Sequence, residues 1–430
     1  MLDIKLLRET PEVVKADLEK RGRDTSIVDD LLENDRIWRE GGQQLNALRA
    51  ERNAAAKGIS EAKKSGADAS AAIAAMGKVA SEVKKLEKEV EEAEAERIRI
   101  LRSLPNIMHP SVPVGKDDTE NQLVRDWGGQ PTHAFGGVSH VDLLETLDLA
   151  DVERGARAAG SRFVYMKNDL VLLGRALEFY ALSKLTNKGY TAIEPPYMLR
   201  KDAVEGAVDL ADFEDVIYKV ETGDGDTPEL YLIATSEHPL AAMHMGEILE
   251  TGQLPLKYAG ISPCFRKEAG AHGKDTKGIF RVHQFSKVEQ FAYSTAEESW
   301  DLHEELIANA EEIYQDLGIP YRVVNICTGD LGTVAAKKYD IEAWMPVQGA
   351  YREVVSCSNC TDYQGRRYGT RHRKAPGEPT ETVHTLNSTA IAVQRTLVAI
   401  LENFQNEDGS VTIPEVLRGY LGGKERIWAR

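Results

Sequence analysis

Cysteine is scarce, with four residues in 430. That excludes the disulfide-stapled scaffold of a small secreted domain. Long apolar runs are missing as well, since nothing approaches the ~18 residues that suggest a membrane span. The opening Met1-Leu2-Asp3-Ile4-Lys5-Leu6-Leu7-Arg8-Glu9 carries charge where a signal peptide keeps an unbroken apolar stretch. The expectation is a cytoplasmic protein with no membrane partner. Positive charge is in deficit, with 53 Lys and Arg against 69 Asp and Glu and a net charge of −16. Such a chain is no general nucleic-acid coat, and DNA is not an expected partner. RNA contact would need local basic clusters working against the global charge. Wholesale disorder is excluded by 42% hydrophobic and 28% charged residues. At about 150 residues per domain, the length allows roughly two to four domains.

Proline is absent from about Leu31 to Leu104, a stretch rich in Ala, Glu, Lys and Arg and broken near Lys64-Ser65-Gly66-Ala67-Asp68. Met76, Val79, Val83, Leu86, Val90, Ala93, Arg97, Ile100 and Leu104 step by alternating threes and fours. That is the a/d seam of a coiled coil, interrupted only at Arg97. Leu31, Trp38, Leu45, Leu48, Ala55, Ile59 and Ala62 keep the same rhythm less cleanly. Two such helices bury their seams on each other as an antiparallel hairpin. At ~1.5 Å per residue, helices of about 30 residues would run roughly 45 Å. Arg49, Arg52, Lys57, Lys63, Lys64, Lys78, Lys84, Lys85 and Lys88 lie in the distal part of this arm. Glu89, Glu91, Glu92, Glu94 and Glu96 lie nearer its root. A solvated coiled coil and a basic arm gripping a phosphate backbone both fit. The arm alone does not decide.

Pro105-Asn106-Ile107-Met108-His109-Pro110 and the polar run to Gly115-Lys116-Asp117-Asp118 read as a hinge. The expected division is residues 1–110, carrying the arm, and residues 111–430, the body. Helical patterns fall at about 168–188, 297–317 and 388–405. Strand-like runs fall at 230–234, 258–266, 280–293, 321–326 and 351–356. Strands cluster without regular alternation with helices, which predicts an α+β body around an antiparallel sheet.

Some motifs fail. Gly270-Ala271-His272-Gly273-Lys274-Asp275-Thr276 has Asp275 where a Walker loop needs Ser or Thr. Cys357-Ser358-Asn359-Cys360 has zinc-ligand spacing but no second pair, so structural zinc is not expected. More telling are Arg266-Lys267-Glu268 and Phe280-Arg281-Val282-His283-Gln284-Phe285-Ser286-Lys287-Val288-Glu289. If both runs are strands, Arg266 shares a face with Glu268, and Arg281 with Phe285 and Glu289. Arginines for phosphate, an aromatic for a base and carboxylates for an ammonium suit a nucleotide with an amino-acid partner. An exposed sheet face with cross-strand ion pairs fits these residues too.

Those two segments resemble the second signature motif of class II aminoacyl-tRNA synthetases, in the form used by seryl-tRNA synthetases. Asn387-Ser388-Thr389-Ala390-Ile391-Ala392-Val393-Gln394-Arg395-Thr396-Leu397 resembles the third motif. The helix near Leu170–Lys188 running into Gly189-Tyr190-Thr191-Ala192-Ile193-Glu194-Pro195-Pro196-Tyr197 resembles the first. Thr235-Ser236-Glu237 is similar to the family's serine-binding loop, and Glu353–Cys360 to its metal and ATP strand.

The resemblance implies a homodimeric class II enzyme with an antiparallel-sheet catalytic domain behind a tRNA-binding arm. It would join L-serine to tRNA(Ser) using ATP and Mg²⁺, with tRNA(Sec) left open as a further acceptor. Arg266 would bridge the ATP α-phosphate and the serine carboxylate. Glu268 would read the adenine amino group, Phe285 would stack under the ring, and Arg281 would bind phosphates. Arg395 would hold the γ-phosphate. Glu353 would coordinate Mg²⁺ with Ser356 beside it. Lys267, Val282, Val354 and Val355 complete the ATP set. Thr235, Ser236, Glu237, Glu289, Asn387 and Thr389 would surround serine, with Glu289 on its ammonium. The arm's cations Arg49, Arg52, Lys57, Lys63, Lys64, Lys78, Lys84 and Lys85 would meet tRNA. Ser388-Thr389 departs from the Gly-Ser common in bacterial members, yet Thr389 keeps the hydroxyl. Two alternatives remain: a paralogue charging a carrier protein with a small amino acid, and a non-catalytic coiled-coil scaffold.

Overall fold

The computed structural model describes residues 1–66, 68–208, 215–221, 228–268 and 277–429. The Gly270–Thr276 run lies outside them. The chain divides into two units, Met1–Pro105 and Asn106–Arg430.

The first unit is helical: α1 (Ile4–Glu9), α2 (Pro11–Lys20), α3 (Ser26–Ser65) and α4 (Ser70–Ser103). Asp3 caps α1 through the Lys5 amide, and Pro11 opens α2, where no amide hydrogen bond is lost. Gly66 closes α3 at φ +75°, a left-handed cap that suits glycine. The 40 residues of α3 correspond to a helix of about 60 Å, longer than the ~45 Å expected. The excess arises because the helix starts at Ser26, before the seam, where Val28 is already buried.

The seam forms as the periodicity requires. Leu31, Leu45 and Ile59 of α3 are buried, as are Val83, Ala93 and Ile100 of α4. Asp35 and Gly41 join that buried row without being apolar side chains. Asp35 is wholly enclosed and binds the guanidiniums of Arg8 (2.7 Å), Arg39 (2.9 Å) and Arg97 (3.1 Å). Among the distal cations, Arg49 pairs with Glu87 at 2.8 Å and Lys85 with Glu89 at 3.6 Å.

The second unit is built on an eight-stranded sheet. In chain order its strands are β1 (Gln122–Trp127), β2 (Thr191–Ile193), β3 (Leu256–Phe265), β4 (Gln284–Ser294), β5 (Tyr321–Asn325), β6 (Lys337–Met345), β7 (Ala350–Asn359) and β8 (His384–Ala392). Their spatial order is β1-β5-β6-β7-β8-β4-β3-β2. Every neighbouring pair is antiparallel except β2 beside β3. The helices that bear on the site are α5 (Asn168–Asn187), α6 (Lys201–Ala207), α7 (Glu237–Ala242), α8 (Ser299–Leu317), α9 (Tyr363–Tyr368) and α10 (Val393–Asn403).

Period-two alternation divides β4 between environments. Val288 and Ala292 enter the main core with Leu173 and Leu177 of α5, Leu306 of α8 and Leu397 of α10. Gln290, also buried, donates to the Leu306 carbonyl of α8 and accepts from Asn309. Phe285, Lys287 and Glu289 line a cavity instead. Further along, Phe291 and Tyr293 enter a second core with Ile217, Leu240 and Tyr368.

Three expectations change. The segment 388–405 is not one helix: β8 runs through Ala392 and α10 starts at Val393. The apolar residues Ala390, Ile391 and Ala392 serve a buried central strand, whose pattern resembles a buried helix. The strand expected from Phe280 begins at Gln284, and the one expected to reach Arg266 ends at Phe265. Nor is Pro105–Asp118 a free hinge. Asn106 is buried and its amide side chain donates to the carbonyls of Val334 (3.0 Å) and Cys360 (2.8 Å). Its backbone N–H and that of His109 pair with Thr333 and Ala336.

Candidate active site

The cavity on the polar face of the sheet is lined from β4, β7, β8, α7, α10 and the segments following β3, preceding β4 and preceding α7. Two local distortions aim its side chains. Pairing of β4 with β8 shifts register between Val288 and Glu289, so that Glu289 faces Thr389 while Val288 faces Ile391. Pairing of β6 with β7 shifts beside Val354, and both Glu353 and Val354 reach the cavity. An extra residue on one strand turns neighbouring side chains, a common device beside active sites.

At one end, Arg266 leaves β3 with its guanidinium 5.3 Å from the centre of the Phe285 ring and Nε donating to the Ala234 carbonyl. Glu268 follows at φ +50°, the left-handed region, and its carboxylate takes Arg281 at 2.7 Å. That turn, rather than strand alternation, brings Arg266 and Glu268 to the same cavity. At the mouth, Arg395 of α10 lies 3.3 Å from the Glu353 carboxylate and donates to its backbone carbonyl. Enclosure raises the Glu353 carboxyl, but Arg395, Lys338 and Arg266 outweigh it and the net shift is downward. Ser356 lines the wall nearby, and buried Asp340 stands opposite it on β6. Burial holds the Asp340 carboxyl up at about 7.

The inner end is smaller and acidic. Lys287 pairs with Glu289 at 2.5 Å, both nearly inaccessible to solvent. The Thr389 hydroxyl is 3.5 Å from the same carboxylate. Thr235, Glu237, His238 and Asn387 complete this end. Burial and the facing Glu289 push the Glu237 carboxyl up to about 7. Burial, with Arg266 and Lys287 nearby, drives His238 down to about 3, which leaves its imidazole neutral. A cationic, aromatic-floored mouth thus leads to a compact pocket of carboxylates and hydroxyls.

Relatives share this chain's whole length. Residues 1–108 match the family described as seryl-tRNA synthetase N-terminal domain. Residues 218–404 match the class II tRNA synthetase core domain of the G, H, P, S and T enzymes. The serine–tRNA ligase of Thermococcus onnurineus is 55% identical, covering 99% of this chain and 97% of its own. The chain belongs to the seryl-tRNA synthetase family. The solved seryl-tRNA synthetase of Pyrococcus horikoshii, described as complexed with ATP, superposes with a TM-score of 0.91 at 53% identity and full coverage of both chains. The cytoplasmic enzyme of Naegleria fowleri, described in complex with AMP, gives 0.86 at 39% identity, covering 100% of this chain and 99% of its own.

Of the side chains expected at the substrates of a seryl-tRNA synthetase, most line the cavity. These are Arg266, Glu268, Arg281, Val282, Phe285, Glu353, Val354, Ser356 and Arg395 toward the mouth, and Thr235, Glu237, Glu289, Asn387 and Thr389 within. Three do not. The Ser236 hydroxyl turns to Ser262, 2.6 Å away, and is fully buried. Val355 points into the main core, because strand alternation sends it opposite to Ser356. Lys267 lies outside the lining, and its backbone N–H pairs with Val216. Lys287, His238, Ser358 and Gln394 line the cavity unforeseen. Of these Lys287 was legible, since it lies two residues from both Phe285 and Glu289.

Proposed function

We propose that this chain is a serine–tRNA ligase that activates L-serine with ATP, releases pyrophosphate, and transfers serine to the 3′ end of tRNA(Ser). The observation that carries this reading is the continuity of the two ends of the cavity. Arg266 acts on the carboxyls of both Glu353 and Glu237, one from each end, and would touch an α-phosphate and an amino-acid carboxylate together. In-line attack of one anion on another needs positioning and charge cancellation more than a protein nucleophile. Arg266 lowers that repulsion, Phe285 floors the adenine, and Arg281 and Arg395 take phosphates. Glu268 reads the adenine amino group. Glu289 takes the serine ammonium, and hydroxyl partners such as Thr389 discriminate against alanine, which would leave them unpaired.

Glu353 and Ser356 offer hard oxygen donors, and Asp340 Oδ1 beside them is buried without a hydrogen-bond partner among the described residues. That donor set fits Mg²⁺, which favours carboxylate, water and phosphate oxygens. Glu353 and Ser356 would hold it; the ion supplies charge neutralisation at phosphate oxygens.

Residues 1–110 would bind tRNA and residues 111–430 catalyse. The working form would be a homodimer in the cytoplasm. The exposed apolar side chains Leu172 and Phe179 of α5, with Met198 and Met243, support a paired surface. Amino-acid-dependent ATP–pyrophosphate exchange across the twenty amino acids tests the reading. Serine alone should support fast exchange, and equal rates with alanine or glycine would refute it. The same preparation, offered tRNA(Ser) and tRNA(Sec), reports the acceptor range.

A further inference from the structure

Gln364 lies behind the acidic pocket and has no access to solvent. Its Nε2 donates to Glu237 Oε1 (2.8 Å) and to the Ala207 carbonyl (3.2 Å). Its Oε1 accepts from the Thr385 hydroxyl at 2.7 Å. The Ala207 carbonyl can only accept, so it fixes which end of the amide is NH₂. That NH₂ therefore always faces Glu237.

The platform beneath is rigid. Arg367 of the same short helix, α9, donates to the carbonyls of Glu205 (2.9 Å) and Val208 (2.7 Å). The Tyr368 hydroxyl donates to Ala203 O at 2.6 Å, and a Cβ on Gly206 would stand 2.1 Å from the Tyr368 ring. Two carbonyls that the end of α6 leaves unsatisfied, Glu205 and Ala207, are thus taken up by α9. Gln364 transmits this fixed geometry to one oxygen of Glu237.

We propose that Gln364 is a positioning residue for amino-acid selection: it occupies Glu237 Oε1 and orients the carboxylate so that Oε2 meets the substrate in the acidic pocket. The inference rests on the serine reading given above. An amide donor favours the ionised form of Glu237, opposing burial and Glu289; Lys287 and Arg266 face the same carboxylate and act in the same sense as Gln364. The Cys360 thiol and the Tyr368 phenol face it as well, and burial pushes both well above their ordinary values, so both stay neutral. A buried donor removed without replacement leaves Glu237 both less anionic and free to turn.

The test is steady-state exchange with Gln364→Met, Gln364→Glu and Glu237→Gln, in the full chain, with KM measured separately for serine and ATP. Gln364→Met should raise the serine KM at least tenfold and leave the ATP KM within twofold. Gln364→Glu can donate only when protonated, so its serine KM should worsen as pH rises from about 6 to 8 relative to wild type. Should Gln364→Met fail to fold, Thr385→Val, which unties the other end of the amide, should shift serine KM in the same direction. A folded Gln364→Met or Thr385→Val enzyme with unchanged serine KM, or with serine and ATP KM rising together, overturns the proposal. If Glu237→Gln raises serine KM while the Gln364 variants do not, the positioning role alone is wrong. If serine does not support exchange in the wild type, the functional reading is wrong instead.

Discussion

Arg97 crosses from α4 to Asp35 on α3, its Nε 3.1 Å from Oδ1, with its guanidinium 4.3 Å over the Trp38 ring. The one charged residue in an apolar seam is therefore answered by a carboxylate 62 residues earlier. Burial pushes the Asp35 carboxyl up, but hydrogen bonds from Arg8 and Arg39 outweigh it and hold it below its ordinary 3.8. Asp35→Ala would leave three guanidiniums gathered without their anion. Because Arg8 and Arg39 are a third to a half exposed and water can reach them, the expected loss in the helical unit is about 1–3 kcal/mol. Because the folded pKa is depressed, this stabilisation is present above about pH 4 and fades as pH falls through the folded value. Helical melts of wild type and Asp35→Ala at neutral pH check it; equal melting temperatures would contradict a structural role for the cluster.

Two adjacent glycines in α3 should respond oppositely. A Cβ on Gly41 would lie 2.6 Å from Val90 Cγ2, whereas a Cβ on Gly42 meets nothing within 4 Å. Gly42→Ala should stabilise by about 0.5–1 kcal/mol through helix propensity. Gly41→Ala should destabilise by about 1–3 kcal/mol, because α4 must be pushed away. Denaturant midpoints of the two variants decide the matter, and a gain at Gly41 would refute the close approach.

Glu237, raised to about 7 from 4.5, binds a proton in the folded chain that the unfolded chain has released. Its folded-state cost therefore grows as pH climbs from about 4.5 to 7. If substrate pairs with the anion, kcat/KM for serine should rise through about pH 7 and level above it. Glu237→Gln should be slower and flat over that range. A flat wild-type profile between about pH 6 and 8 would show that this carboxyl does not meet serine.

Replacing Arg52, Lys57, Lys63, Lys64, Lys78 and Lys84 by Gln should leave serine-dependent exchange within twofold, since these side chains belong to the helical unit and none lines the cavity. Transfer to tRNA(Ser) should fall by at least tenfold. The salt dependence of tRNA binding should also become shallower, by about 0.7–0.9 in log–log slope for each phosphate left unneutralised. Unchanged charging by this variant would make the basic stretch an ordinary solvated surface.

Periodicity exposed the arm because its seam is a local, repeating signal, and Leu45, Ile59, Val83 and Ile100 lie where the threes and fours put them. Asp35 was invisible to the same reading, since a lone acid at helical spacing looks like a surface residue until Arg97 is brought opposite. The site residues Arg266, Phe285, Glu289 and Arg395 were legible through motif resemblance. The backbone that carries them was less so. Apolar alternation continues through Phe280 and Val282, both buried, although ladder pairing starts only at Gln284. Gln364 gave no signal at all, because its importance comes from Ala207 and Thr385, each far away in sequence.

The divided strand β4 has a consequence for how this enzyme's length can vary. A residue gained or lost just before Phe285 would displace Arg281 and Val282 from the cavity they line. A single residue gained between Glu289 and Phe291 would turn Phe291 and Tyr293 out of the second core toward the first. Only changes in pairs keep every side chain on its own side. The neighbouring strand β8 already carries an odd residue, Ala390, at its register shift opposite Glu289. Along the β4–β8 ladder a length change can therefore be absorbed at Ala390, directly beside the pocket, where the register already shifts.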